Sequence, residues 1–156
     1  CRSDRIETYK HVSVSEDFLD FRNFYNWVRE QKGFYIVDVK GKPFEMDKDI
    51  LSGSLYSAET IAFVPRALNA LCKRVYKKTN LPKGVQYFEG REKPYRVYSS
   101  LDKKLTHYGY FKTLEEATQV AKESRYDQLE HVLDMYEEDI EEHVLLAVRN
   151  NFERFL

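Results

Sequence analysis

The feature that most constrains this chain is a change of hydrophobic period between residues 81 and 121. Leu81-Pro82-Lys83-Gly84 breaks whatever precedes it, and three short runs follow, near 84–89, 94–100 and 105–111. They are rich in Tyr, Phe and Val. The links between them, Gly90-Arg91-Glu92-Lys93 and Leu101-Asp102-Lys103-Lys104, have turn composition. This pattern predicts three antiparallel strands. The period then lengthens. Thr113 with Glu116 three residues on has the form of a capping box. Leu114, Ala117, Val120 and Ala121 recur on one helical face.

The flanking segments complete an α+β expectation. Residues 13–31 predict a helix, opened by a Ser13/Glu16 capping box and striped by Phe18, Phe21, Tyr25 and Val28. Residues 34–37 read as a strand, 41–43 as a turn, and 44–51 as a second strand carrying Glu45, Asp47 and Asp49. Residues 52–54 turn, 56–65 read as irregular or a short helix, and 66–78 as a helix with a basic end. Leu129, Val132, Leu133 and Tyr136 extend helix beyond 125, and a last helix is expected over 140–155. A length of 156 residues suits one compact domain or two small ones sharing a core.

Charge is unevenly placed. Residues 73–112 hold eleven Lys or Arg against three acids, a net +8, inside a chain whose total is −1. Residues 123–142 hold nine acids against Arg125, a net −8. A basic block in a near-neutral chain points to a polyanionic partner, or to two solvated faces that attract each other. The acidic segment leaves a protein partner open as an alternative. Two cysteines, Cys1 and Cys72, make no disulfide framework and fit a reducing cytoplasm. No apolar run reaches the ~20 residues of a membrane span, so no membrane association is expected.

Residues 81–125, from LPKGVQYF through YGYFKTLEEATQVAKES, resemble the plant Apetala-two (ethylene-response-factor) DNA-binding domain. The likeness rests on Gly84-Val85 opening the first strand, the aromatic-led second strand and the YGYF-T-EEA ending at 108–117. It implies a three-stranded sheet laid in the major groove of double-stranded DNA and backed by the helix. With period-two alternation, Tyr95, Val97 and Ser99 would face the helix, and Arg96, Tyr98 and Ser100 the DNA. By the same mapping Gln86 and His107 reach the groove, while Arg91, Lys93, Lys103 and Lys104 meet phosphate. Several positions that are Arg or Trp in the plant domains are Gln86, Phe88, Ser100 and His107 here, so the sequence read does not transfer.

The segment before it resembles the nuclease part of bacteriophage HNH homing endonucleases, in which a DNA-binding module of this type often follows. The matching strings are FLDFRNFYNWV at 18–28, MDKDIL at 46–51, YSAETIAFVP at 56–65 and LNAL at 68–71. The resemblance implies a degenerate ββα-metal segment over 1–78, an Apetala-two-type domain over 79–126 and a C-terminal helical extension over 127–156. It also implies a bacterial host cell. Lys48 stands where the family carries its histidine base. Asp47, Asp49 and Glu59 remain as oxygen ligands suited to Mg²⁺ or Mn²⁺. Between two aspartates Lys48 keeps its proton, so it is expected as a phosphate or transition-state clamp beside Asp47 rather than as a base. His11 is the one upstream histidine that stands in reserve.

Three functions compete at this level. One is a metal-dependent HNH-type endonuclease that docks through 81–125. The second is a catalytically inactive DNA-binding descendant, acting as a regulator or counter-defence protein. The third is a protein-binding module that uses the acidic helices.

Overall fold

The computed structural model describes residues 12–51, 54–73, 80–101 and 104–156. His11, Lys103 and the basic end expected for the 66–78 helix lie outside them. The chain forms two compact units. The first takes the residues up to Asn69 together with Tyr136–Asn150, and the second takes Ala70–Met135 with Asn151–Leu156.

In the first unit β1 (Ser13–Val14) pairs in parallel with β3 (Leu55–Tyr56). Two helices follow β1: α1 (Glu16–Leu19) and α2 (Phe21–Glu30). The single helix expected over 13–31 is therefore split, and Ser13 lies in a strand rather than at a cap. The cause is Asp20, which is extended and accepts the Arg22 N–H at 2.8 Å, so it caps α2 and interrupts α1. Phe18 then folds onto Trp27, with ring centroids 4.9 Å apart.

The strand expected at 34–37 is instead a turn, with one isolated bridge from Val37 to Pro43. The Phe34 and Ile36 N–H groups donate back to Gln31 and Gly33, while the Phe34 ring meets Phe63 at 5.7 Å. β2 is only Glu45–Asp47. It ends early because the Asp47 carboxylate accepts the Ile50 N–H at 2.9 Å and turns the chain. The segment expected as irregular carries β3 and β4 (Ala62–Val64), and β4 pairs antiparallel with β2. α3 (Arg66–Cys72) follows at once, with the Pro65 carbonyl accepting the Asn69 N–H. Ile50, Ile61, Val64, Leu68, Ile140, Val144 and Val148 are buried.

The second unit holds the three-stranded antiparallel sheet, in the order β5 (Val85–Tyr87), β6 (Tyr95–Leu101), β7 (Lys104–Phe111). α4 (Leu114–Tyr136) follows. Its capping box forms as expected: Thr113 Oγ1 accepts the Glu116 N–H at 3.2 Å, and Glu116 accepts the Thr113 N–H at 3.3 Å. Val85 and Val97 pack with Ala117 and Ala121, and Tyr95, Tyr108, Phe111, Leu114 and Val120 close around them. The last helix expected over 140–155 is α5 (Glu142–Asn151) followed by a tighter 3-10 turn at Phe152–Phe155. No helix among the described residues is long and apolar enough to cross a membrane.

Arg125 is buried in this unit. Its Nη2 donates to the Leu71 carbonyl at 2.7 Å and to the Phe155 carbonyl at 3.4 Å, and its guanidinium lies 5.6 Å from the Phe152 ring. Half-buried Lys83 donates to the Lys73 carbonyl at 3.1 Å. Burial, reinforced by the Arg125 charge, pushes the Lys83 amine down to about 8. Between pH 8 and its ordinary 10.5, the unfolded chain holds a proton that the fold has released. Stability therefore rises with pH across that window and is level below it. Urea midpoints measured from pH 7 to 10.5 should rise relative to those of Lys83→Met; parallel curves would contradict this linkage.

Candidate nucleic-acid interface

Pairing register defines which side chains share the sheet surface away from α4. Val97, fully buried, and Ser99 point inward, so Arg96, Tyr98 and Ser100 point outward, as the alternation predicts. Gln86 of β5 and Tyr110 of β7 flank Arg96 on that outer face. Phe88 extends the face by one rung, since its N–H donates to the Pro94 carbonyl at 2.8 Å. Gly84 lies beside Tyr98, whose N–H donates to the Gly84 carbonyl at 2.9 Å.

An irregularity in β7 determines the rest. Val97 pairs with Gly109 but Tyr98 pairs with His107, leaving Tyr108 as an extra residue. Gly109 takes φ +131°, which a side chain would resist. Beyond the bulge the alternation is reset. Tyr108 packs inward against the helix, whereas His107 and Tyr110 both stand outward with ring centroids 5.1 Å apart.

The cations on this face are held by rings rather than by acids. The Arg91 guanidinium lies 4.8 Å from the Phe88 ring and 5.5 Å from the Tyr110 ring. That of Arg96 lies 5.4 Å from Tyr98. Among the described residues no carboxylate reaches salt-bridge distance of Arg91, Lys93, Arg96 or Lys104, whereas Lys112 pairs with Glu92 at 3.1 Å. The Arg96 Nε is buried with no acceptor. Lys104 and Gln86 are exposed, and Lys93 borders a groove along β7. Glu123, Asp127, Glu130 and Asp134 of the acidic segment are exposed on α4.

The acids proposed for metal and catalysis are placed differently. Asp47 is spent on the Ile50 N–H, and burial raises its pKa against that hydrogen bond. Asp49 binds the Lys48 amine at 2.7 Å, and Lys48 is itself buried, 5.6 Å from the Tyr56 ring. Glu59 accepts the Ser57 hydroxyl at 2.7 Å, which lowers its pKa. Among the described residues no three His, Cys, Asp or Glu side chains gather as a metal site. Magnesium needs several oxygens converging at about 2.0–2.1 Å. Asp47, Asp49 and Glu59 are instead each engaged by a donor of their own.

Sequence reasoning overlooked two sets of residues. One is Phe88 and Tyr110 on the outer face; the glycine within β7 was the signal for a bulge. The other is Glu45 with Asn69: the Asn69 amide donates to Glu45 Oε2 at 2.7 Å, and Arg66 Nε stands 3.7 Å from Oε1. Period two places Glu45 on the same side of β2 as Asp47, and Asn69 lies on the helix that follows β4, so this pairing of strand and helix was open to reading.

Gly84 anchors the face. Its φ is +86°, and a Cβ there would meet the Tyr98 carbonyl oxygen at 2.7 Å. Gly84→Ala should lower unfolding stability by about 1–2 kcal/mol or more. Chemical denaturation checks this, and an unchanged midpoint would contradict the strand geometry. No family model, curated protein or solved structure matches the chain.

Proposed function

We propose that this protein binds duplex DNA by laying the outer face of β5–β6–β7 in the major groove. The observation that carries this reading is Arg96, central on an exposed sheet, stacked on Tyr98 and without a carboxylate partner among the described residues. Arg125, which holds the fold together, has backbone acceptors for its Nη2, although its Nε, like that of Arg96, has none. Arg91, Lys93 and Lys104 also have no carboxylate at salt-bridge distance among the described residues, so the face carries positive charge. Three strands at about 4.8 Å spacing are about 10 Å across, and the major groove is about 12 Å wide. The roles supported are base-edge contact for Arg96, with Gln86, Tyr98 and His107 beside it, and phosphate contact for Arg91, Lys93, Lys103 and Lys104.

A second reading concerns descent. β2 and β4 pair as antiparallel strands, α3 follows β4, and Asn69 of the helix reaches Glu45 of β2. That order favours derivation from an HNH-type nuclease of a bacteriophage, acting in a bacterial cytoplasm. The engaged carboxylates and buried Lys48 favour binding without cleavage over an active Mg²⁺ or Mn²⁺ endonuclease.

Fluorescence anisotropy with a labelled duplex should show affinity falling steeply between about 50 and 200 mM salt. Arg96→Ala should lose about 1–3 kcal/mol and relax base preference. Lys104→Ala should weaken all sequences equally. Salt-independent binding, or both variants behaving as the parent, would remove the sheet from the interface. Supercoiled plasmid incubated with Mg²⁺, Mn²⁺ or EDTA should remain supercoiled. Nicking with metal that EDTA stops, and that Asp47→Ala abolishes, would restore the enzyme reading.

A further inference from the structure

Beside the outer face, a groove of about 560 Å³ runs between β7 and the start of α4, walled by Lys93, Tyr110, Phe111, Lys112, Glu116, Gln119 and Val120. Tyr110 belongs to both surfaces, so anything lying on the sheet passes the groove's mouth. The volume falls in the range of ~300–1,000 Å³ typical of small-ligand sites.

Its chemistry is divided. Tyr110, Phe111 and Val120 offer an apolar wall with ring surface. Lys93 and Lys112 supply two ammonium groups at one side, and Gln119 brings an amide, whose nitrogen rests on Glu123 at 2.7 Å. Glu116 also lines the groove and Glu92 pairs with Lys112, so two carboxylates offset part of this charge. Glu116 is engaged with the N–H groups of Lys112 and Thr113 at the helix cap. The Glu92–Lys112 pair is highly exposed on both sides and so holds weakly. A flat apolar body, one or two negative charges and a hydrogen-bonding edge together describe a nucleotide. A base inside a duplex hides its faces in the stack and cannot enter; an unpaired one can.

We propose that the groove accepts one unpaired nucleotide of the bound DNA, with its base against Tyr110, Phe111 and Val120, its phosphate at Lys93 and Lys112, and Gln119 at the base edge. This rests on the duplex-binding reading above and adds a preference for DNA that is bulged or locally opened. The groove rather than the sheet is responsible for that preference.

The test compares two duplexes of the same sequence, one fully paired and one with a central single-nucleotide bulge, each carrying 2-aminopurine at that position. The parent should bind the bulged duplex roughly five- to a hundredfold tighter, the range expected of one base stacked on an aromatic side chain. The 2-aminopurine fluorescence should fall on binding only in the bulge. Gln119→Trp, a change at a solvent-facing helix position that fills the groove, should keep the affinity for paired duplex and lose the preference. Lys93→Ala should reduce the preference as well. Equal affinity of the parent for both duplexes overturns the proposal, as does a preference that survives Gln119→Trp. Failure to bind either duplex overturns the duplex-binding reading itself.

Discussion

The second unit depends on the contact between Val97 and the Ala117/Ala121 face of α4. Val97 occupies the middle of the central strand and is fully buried, and the two alanines, one helical turn apart, leave room for the helix to lie against it. Burial of a valine contributes about 1.5–3 kcal/mol, and Val85, Tyr95 and Phe111 gather around the same point. One side of a three-stranded sheet is thereby closed by one helix. Among the described residues of this unit, none is packed over the other side in that way. The outward placement of Arg96 and Tyr98, both half-buried, and of exposed His107 and Tyr110 is a consequence of where the apolar residues were placed, since alternate positions in a strand must point opposite ways.

Legibility in the sequence followed the strength of local periodicity. β5, β6, β7 and the capped start of α4 could be read closely, because alternation, turn composition and a Thr113/Glu116 box agree there. The first unit could not. Its strands are two or three residues long, and Asp20 and Asp47 each redirect the backbone by taking an N–H two or three residues ahead. Nothing in hydrophobic spacing announces which aspartate will do that. Aromatic richness misled in the same region: Phe34 and Tyr35 look like strand residues, yet the Phe34 ring is used to pack a turn onto Phe63.

The bulge at Tyr108 shows how a small local departure changes a surface. Strict alternation from His107 would put Gly109 and Phe111 outward and hide Tyr110. Tyr108 points to the core either way, its hydroxyl 3.4 Å from Ser99 Oγ, but the extra residue reverses the positions after it and returns Phe111 to the hydrophobic cluster. Tyr110 is freed to meet His107, Phe88 and Arg91. Without that step the outer face would lose the ring that both orients Arg91 and borders the groove.

The two units also differ in how their charges are satisfied. In the first unit the charged groups beside β2 are consumed internally: Asp47 by a backbone N–H, Lys48 by Asp49, and Glu45 by Asn69 and Arg66. Groups held this way must give up a partner before they can act on a phosphodiester, and each exchange subtracts from whatever the new contact contributes. On the sheet the reverse holds. Arg91 and Arg96 are positioned by aromatic rings, which restrict a guanidinium without occupying its N–H donors as a carboxylate would. Among the described residues their guanidinium groups meet no carboxylate at salt-bridge distance. The arginines of one surface are thus oriented by rings, while the acids beside β2 are committed to partners within their own unit.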